Sequence, residues 1–349
     1  MNTLFEYRDS LDALRFTPEQ KAALAAGAAE AAKCKKHHRP LWRTAFIAAC
    51  LAAVLAVGAG ASGVLKSAAE VLAPIFGGTA AQTEVIDKIG YPIGAGDTDN
   101  GVTITADAII GDAYNAAIVY TIRRDDGTAL LPEGTNVKSL LMGGVGGADL
   151  NVLGGSHGSS WFAADEADSS AVQLVQTVSA DCPVNGCTAT AEFEDLCAWD
   201  EEQEAPIPVV EGHWKFRFDV DYEDSSIVLG GGDTFTQNGM TFTVDEVRVS
   251  PVAVRAAYTV DSEVQWSNAP SGRQSDADAQ AMERYFDSVE ILLTRTDGTV
   301  IDLSNAGGSI MPGQGTTVCV KGNLLDEILP LEELESVSVG GIVYSVSGS

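Results

Sequence analysis

The first residues that could do chemistry lie between Gly154 and Gly158. They read Gly-Gly-Ser-His-Gly, which satisfies the G-x-S-x-G pattern of a hydrolase nucleophile. In such an elbow the serine follows a strand, precedes a helix and is served by a histidine with a carboxylate partner. His213 and many carboxylates are available, but no helix signal follows Ser156. We therefore interpret the motif as a Gly/Ser-rich loop and predict no catalytic residue and no cofactor.

Two acidic stretches could bind cations. Asp97-Thr98-Asp99-Asn100-Gly101 resembles the start of a calcium loop, but the glutamate needed at position 108 is an alanine. Asn-Gly before an alternating strand is better interpreted as a hairpin turn. The run Asp200–Glu204 is interpreted as a solvated loop. We predict no metal site.

Charge divides the chain into two parts. Residues 1–43 hold eight Lys/Arg and five Asp/Glu, a net charge of +3, whereas the remaining residues hold 13 and 44, a net charge of −31. The acidic part should repel phosphates, so we expect no nucleic acid partner.

An uncharged run, Thr44–Leu65, lies at this break in charge. As a helix its 22 residues would span about 33 Å, close to the thickness of a hydrocarbon core. Five basic residues precede it without an acid among them: Lys33, Lys35, Lys36, Arg39 and Arg43. The positive-inside rule then predicts a single-pass cell-membrane protein with a cytosolic N-terminus, an extracytoplasmic C-terminal ectodomain and lipid contact along the run. A cleavable signal peptide and a buried Ala-rich helix are the alternatives.

The cysteines divide according to this topology. Cys34 is expected in the cytosol and Cys50 in the span, whereas Cys182, Cys187, Cys197 and Cys319 are expected outside. Four cysteines in an oxidising compartment suggest two disulfides, with three pairings available. An Asn-Gly turn between alternating runs favours a hairpin clamped by Cys182–Cys187, which leaves Cys197–Cys319. Zinc is the alternative, although no CxxC spacing is present.

The cytosolic part is predicted to form two helices. A stripe of apolar residues recurs at steps of three and four: Leu4, Tyr7, Leu11 and Leu14. A second helix should begin at Thr17-Pro18 and run through an Ala-rich segment to Lys36. The segment is too small for a core of its own, so the stripe is our candidate partner-binding surface. A loosely ordered leader is the alternative.

From about Lys88 the pattern predicts strands, and it contains an internal repeat. Asn100-Gly101 and the six residues after it match Asn238-Gly239 and its followers at an offset of 138 residues. A period near one domain length indicates a duplicated domain. The predicted fold is mainly β, with two tandem immunoglobulin-like sandwiches, one transmembrane helix and short cytosolic helices. The predicted organisation is a cytosolic segment, a span, a linker and two sandwich domains, at residues 1–43, 44–65, 66–87, 88–229 and 230–349.

Aromatic residues could serve a ligand surface or a core. Trp199, Trp214 and Trp266 are candidates for a ligand surface, but strand aromatics such as Trp214 and Phe216 more often fill the core of a sandwich. A short helix is predicted at residues 276–286, inserted into the second domain.

The stretch IDKIGYPIGAGDTDNGVTITADAIIGDAYNAAIVYTI resembles the bacterial membrane-anchored family of domain of unknown function 4179. The later stretch from Glu211 to Val260 resembles the join to the immunoglobulin-like domain that often follows it. The resemblance covers most of residues 75–265. It implies an anchored ectodomain with a short cytosolic helix, often encoded near sigma factors of RNA polymerase, and it assigns no catalytic residues. His37 and His38 are not followed by the CxxC of a zinc-type anti-sigma motif.

The sequence therefore favours an anti-sigma-like or signal-relaying regulator. In this hypothesis the ectodomain meets an extracellular ligand of unknown identity, and the cytosolic helices bind a sigma factor or another protein. The alternative is a cell-surface binding or structural protein without a cytosolic signalling role. An extracytoplasmic hydrolase using Ser156 is a third hypothesis, for which we expect no activity.

Overall fold

The computed structural model describes residues 66–151, 155–164, 168–267 and 274–346. The predicted cytosolic segment and span, including Leu4, Tyr7, Leu11 and Leu14, lie outside these residues. Among the described helices, none is long and apolar enough to cross a membrane.

The described chain is mainly β and is built from antiparallel sheets. The first β unit contains strands β1 to β8: Tyr91–Asp99, Val102–Gly111, Asn115–Arg124, Leu140–Asp149, Ser156–Ala164, Ala171–Ala180, Thr188–Asp200 and Ala205–Asp219. They form two sheets, with strand orders β1-β2-β3-β6-β5 and β4-β7-β8. The sheets share one apolar core, in which Tyr120, Phe193 and Trp214 are fully buried.

The second β unit contains strands β9 to β18: Ile227–Gly230, Thr234–Gln237, Met240–Val249, Ala253–Val260, Ile291–Arg295, Val300–Asp302, Gly308–Pro312, Thr317–Leu324, Leu334–Val339 and Ile342–Ser345. One sheet has the order β10-β11-β12-β16-β15, with β9 also paired to β11, and the other has the order β14-β13-β17-β18. A second core lies between them. Because β9 belongs to this unit, the second domain begins before residue 230.

Within the residues that the structure describes, three α-helices accompany the strands: α1 at Ala68–Phe76, α2 at Ala80–Ile89 and α3 at Asp276–Met282. A π-helical turn, Glu283–Asp287, continues α3 and confirms the helix predicted in the second unit. Helices α1 and α2 occupy most of residues 66–87, which we predicted to be a linker, so that segment is helical. Each begins with a capping box, Ser67 with Glu70 in α1 and Thr79 with Gln82 in α2.

The internal repeat is visible in the strand pairing. Asn100-Gly101 joins β1 to β2, and Asn238-Gly239 joins β10 to β11, with all four residues at positive φ as a type I′ turn requires. Each following strand carries a bulge seven residues after the asparagine, at Asp107 and at Asp245. The threonine opposite donates a hydrogen bond to each carboxylate. The two units therefore share strand register as well as sequence.

Candidate functional site

The site that connects the parts of the described chain is an apolar cluster between the two β units, which we call the junction. Helices α1 and α2 contribute Val71, Leu72, Phe76 and Ile86 to it. They cover the outer face of β2 and β3 and contact Ile328 of the second unit. The adjoining parts of β2 and β3 are therefore buried on both faces, which explains their unbroken apolar runs.

Other members of the junction come from both β units. The first unit supplies Ala108, Ile110, Ala117, Val119 and Val175, and the second supplies Val252, Ala253, Leu324 and Ile328. Separating the units would expose this apolar surface to water, which is unfavourable in proportion to the area. The junction therefore holds the two units and the helices together.

Hydrogen bonds link the helices to the second unit. The Gln82 side chain accepts from the Thr79 N–H as part of its capping box, at 3.1 Å. Its Nε2 also donates to the Ile328 carbonyl at 3.0 Å, and the Ile328 N–H donates to the Phe76 carbonyl at 2.8 Å. Thus the Gln82 side chain both caps the start of α2 and binds the second unit through Ile328.

A buried polar network joins the β units directly. The Asp112 carboxylate accepts hydrogen bonds from the Ser250 hydroxyl at 2.7 Å and from the Asn115 N–H at 2.9 Å. Asp112 is 4% exposed and Ser250 is fully buried. A buried carboxylate is costly unless it is hydrogen-bonded, so these bonds hold the β2–β3 turn against the second unit in one arrangement.

Two arginines of the second unit lie on an aromatic ring of the first. The Arg255 guanidinium is 4.0 Å from the centroid of the Tyr114 ring and that of Arg248 is 5.6 Å away. Glu246 pairs with both arginines, at 3.4 Å and 2.7 Å. Hydrogen bonding to Glu246 raises the pKa of Arg248. Charged side chains of the second unit therefore line the edge of the junction, and the two arginines make cation–π contacts with the first unit.

A second surface lies at the end of the long β7–β8 hairpin, which we call the hairpin tip. Trp199 is 47% exposed there and Ile207 is 37% exposed. The predicted acidic loop Asp200–Glu204 joins the two strands, and Asp200 accepts from the N–H groups of Glu202 and Gln203. Because Ala198 pairs with Ile207 and Trp199 pairs with Pro206, the side chains of Trp199 and Ile207 point to opposite faces of the hairpin.

The structure places the predicted serine at the start of a strand. Ser156 begins β5, which continues to Ala164, and pairs with Ala180. The strand-to-helix turn of a nucleophile elbow is therefore not formed.

Asp97 and Asp99 lie close to His213, but their carboxylates bind backbone N–H groups. Asp99 accepts from the His213 N–H and Asp97 from the Lys215 N–H, each at 2.9 Å. The side chains of His213 and Lys215 bind Glu192 instead. Hydrogen bonding to them lowers the pKa of Glu192, with Lys215 contributing most. In the described ranges no group of three or more His, Cys, Asp or Glu is arranged to hold a metal ion.

The predicted disulfides are not formed, because Cys182, Cys187, Cys197 and Cys319 are free thiols in the structure. The turn at Asn185-Gly186 exists, but the strands on either side of it, β6 and β7, belong to different sheets, so no hairpin places Cys182 opposite Cys187. The other two cysteines belong to different cores. Cys319 is in the second core, where burial raises its pKa to about 12, and Cys197 lies at the first.

The predicted aromatic residues divide into two kinds. Trp214 is fully buried and its Nε1 donates to the Val102 carbonyl at 2.8 Å, and Phe216 is 8% exposed, which confirms the core interpretation. Trp199 and Trp266 are exposed, at 47% and 41%.

Sequence reasoning missed the junction. The signal that could have found its helices is the pair of capping boxes, S-x-x-E at Ser67 and T-x-x-Q at Thr79. Asp112 and Ser250 carry no such local signal, because they lie 138 residues apart and meet only in the folded chain.

No protein-family model matches the chain, and no curated protein matches it. A search of solved structures finds similarity to the crystal structure of the conserved domain protein from Bacillus anthracis. The sequence identity is 17%, the TM-score is 0.42, and the match covers 72% of this chain and 76% of the other. This similarity is too distant to support an argument about function.

Proposed function

We propose that the chain is a single-pass membrane protein that relays a signal from an extracytoplasmic ectodomain to a cytosolic partner. In this proposal the two β units are immunoglobulin-like sandwiches outside the cell. Thr44–Leu65 spans the bilayer, and residues 1–43 bind a sigma factor of RNA polymerase in an anti-sigma-like manner. The resemblance to the family of domain of unknown function 4179 supports this assignment.

The junction is the observation that carries the proposal. Helix α1 begins at Ala68, three residues after the end of the predicted span, and its apolar side is buried against both β units. A ligand that changes how the units pack would therefore act on the chain at the point where it leaves the membrane. A flexible linker would lose that coupling.

The hairpin tip supplies a surface for the ligand. Its exposed Trp199 provides apolar contact, and the carboxylates of Asp200–Glu204 favour a ligand with basic groups. The alternative function, a cell-surface binding protein, shares this surface and needs no cytosolic partner. The two functions differ only in what residues 1–43 do.

Capture from the cytosol separates these functions. The full chain, purified from cross-linked cells, should carry a sigma factor in stoichiometric amount. Leu11→Asp and Leu14→Asp should reduce the captured amount at least tenfold, because each places a charge on the apolar stripe. Ala13→Asp is the matched control, since a helix would turn it away from the stripe. Capture that is zero, or equal in all four proteins, would favour the binding protein.

Topology needs its own test. Protease added to intact cells should digest both β units and spare residues 1–43. Survival of the β units in intact cells, together with their digestion after lysis, would place them in the cytosol and end the proposal.

A further inference from the structure

Strand β5 differs from every other edge strand in the described chain. It is nine residues long, Ser156–Ala164, and pairs with β6 through nine consecutive residues without a bulge. Residues 156–161 are all exposed, so this half of the strand extends beyond the core on both faces. Trp161 is 40% exposed at its middle. Within the described ranges, no strand pairs with its outer edge.

The other edges carry known protections against pairing. Strands β9, β10, β14 and β18 have only three or four residues, and β4 is interrupted by bulges. Strand β1 has Pro92 and a bulge, β8 contains Pro206 and Pro208, and β15 ends at Pro312. Prolines, bulges and short length are the usual means of preventing edge-to-edge association. Strand β5 has none of them and carries no Lys, Arg, Asp or Glu.

The direction of the free backbone groups follows from one contact. The Asp181 N–H donates to the Gly155 carbonyl, so the backbone N–H and C=O groups of residues 155, 157, 159, 161 and 163 point toward β6. The even-numbered residues then point their N–H and C=O groups outward. Of these, Ser156, Gly158 and Ser160 are exposed, so three adjacent pairs of donor and acceptor are open to another strand.

Charge indicates which strand would bind. The chain after residue 43 has a net charge of −31, so two copies repel each other over most of their surface. No charged residue occurs between Asp149 and Asp165, and β5 lies within this stretch. A basic partner would gain nothing from such an uncharged edge, whereas a second acidic copy can approach there at least cost. A twofold axis also places β5 antiparallel to itself without further adjustment.

We propose that β5 is a dimerisation edge, on which β5 of a second copy adds in antiparallel pairing to make a continuous sheet across the two chains. The occupant is thus a second copy of this chain, held by main-chain hydrogen bonds with Trp161 adding apolar contact. The inference is independent of the proposed relay function, since it uses only the described strand and its charge.

The test uses the full chain in detergent micelles, with the protein mass followed by light scattering over a concentration series. Ser160→Pro removes only an outward N–H and leaves the β6 ladder intact, because proline is tolerated at such edge positions. Its dimer dissociation constant should rise at least tenfold, while the control Ser160→Thr stays within twofold of the original protein. Raising NaCl from 0.05 to 0.5 M should tighten the dimer, since salt screens the repulsion between acidic copies.

Amide exchange on the unsubstituted chain gives a second readout that requires no variant. The N–H groups of Gly158 and Ser160 should exchange at least tenfold more slowly in the concentrated sample than in the dilute one. A single-copy mass at every concentration would overturn the proposal, as would a dimer that Ser160→Pro leaves unchanged. A single-copy chain whose capture of a foreign extended peptide is lost in Ser160→Pro would also overturn it, by making that peptide the occupant.

Discussion

Asp107 and Asp245 occupy equivalent bulges but differ in burial, since Asp107 is partly buried and Asp245 is exposed. Burial raises the pKa of Asp107 to about 6, although the hydrogen bond from Thr121 and the charges of Lys66 and Arg123 act in the other direction. Asp245 makes the same hydrogen bond with Thr259 at an exposed position. The duplication thus provides a natural control for the effect of burial on a carboxylate.

Stability should depend on pH through Asp107. Its ordinary pKa is near 4, so between about pH 4 and 6 the folded chain binds more protons than the unfolded chain, and stability falls as pH rises. Asp107→Asn should remove this loss and raise the free energy of unfolding at pH 7.5 by about 1–2 kcal/mol, with a smaller gain near pH 4. Thermal unfolding at several pH values measures it.

The control for Asp107 is Asp245→Asn, which removes the matching carboxylate at an exposed position of the second unit. An equal gain for both variants, or a gain for Asp107→Asn that is constant from pH 4 to 8, would show that burial of Asp107 does not oppose its ionisation.

Trp214 and Trp199 make a second comparison at the same scale. Trp214→Phe removes the hydrogen bond to Val102 and leaves a cavity, so it should cost about 2–3 kcal/mol. Trp199→Phe changes an exposed side chain and should stay within about 0.5 kcal/mol. Urea denaturation followed by circular dichroism measures both. A similar midpoint for the two variants would contradict the placement of Trp214 in the core.

At the scale of elements, local signals predicted much and missed what depends on contacts across the chain. The Asn-Gly turns, the repeat and the inserted helix at α3 followed from residues within a few positions of one another. The prediction of a hairpin around Asn185-Gly186 was wrong, because an Asn-Gly turn can also connect strands of two different sheets, as it does here between β6 and β7. The linker was wrong because α1 and α2 are apolar on the face that meets both units, and that face has meaning only beside its partners.

The helices of the junction should contribute more to the free energy of unfolding than a pair of helices without contacts to the β units would. Ile86→Ala deletes a fully buried side chain where α2 meets the β units and should lower the free energy of unfolding by about 2–4 kcal/mol. Amide exchange should also speed up at Ile328, whose N–H is bonded to Phe76.

Asp87→Ala is the matched control on the same helix, since Asp87 is exposed. It should leave both the midpoint and the exchange at Ile328 close to those of the original protein. If Ile86→Ala accelerated exchange only within α2, the helices would be attached to the first unit alone.

At the scale of the whole molecule, a basic N-terminal segment precedes an acidic pair of β units in the chain. The units meet through the junction, through the Asp112–Ser250 hydrogen bond and through two arginines on Tyr114. Packed interfaces of this kind hold discrete arrangements rather than deforming continuously. In the proposed function such an arrangement is what a ligand would change.

The most direct test of this coupling opens the junction and measures what residues 1–43 bind. Leu72→Asp and Ile328→Asp place a charge in the same cluster from opposite sides, whereas Val343→Asp makes the same change at a site that is 64% exposed. Sigma factor captured per copy of the full chain is the quantity to measure. We expect both junction variants to change the captured amount at least threefold in the same direction, while Val343→Asp leaves it unaltered. Equal capture by all three variants and the original protein would contradict the account.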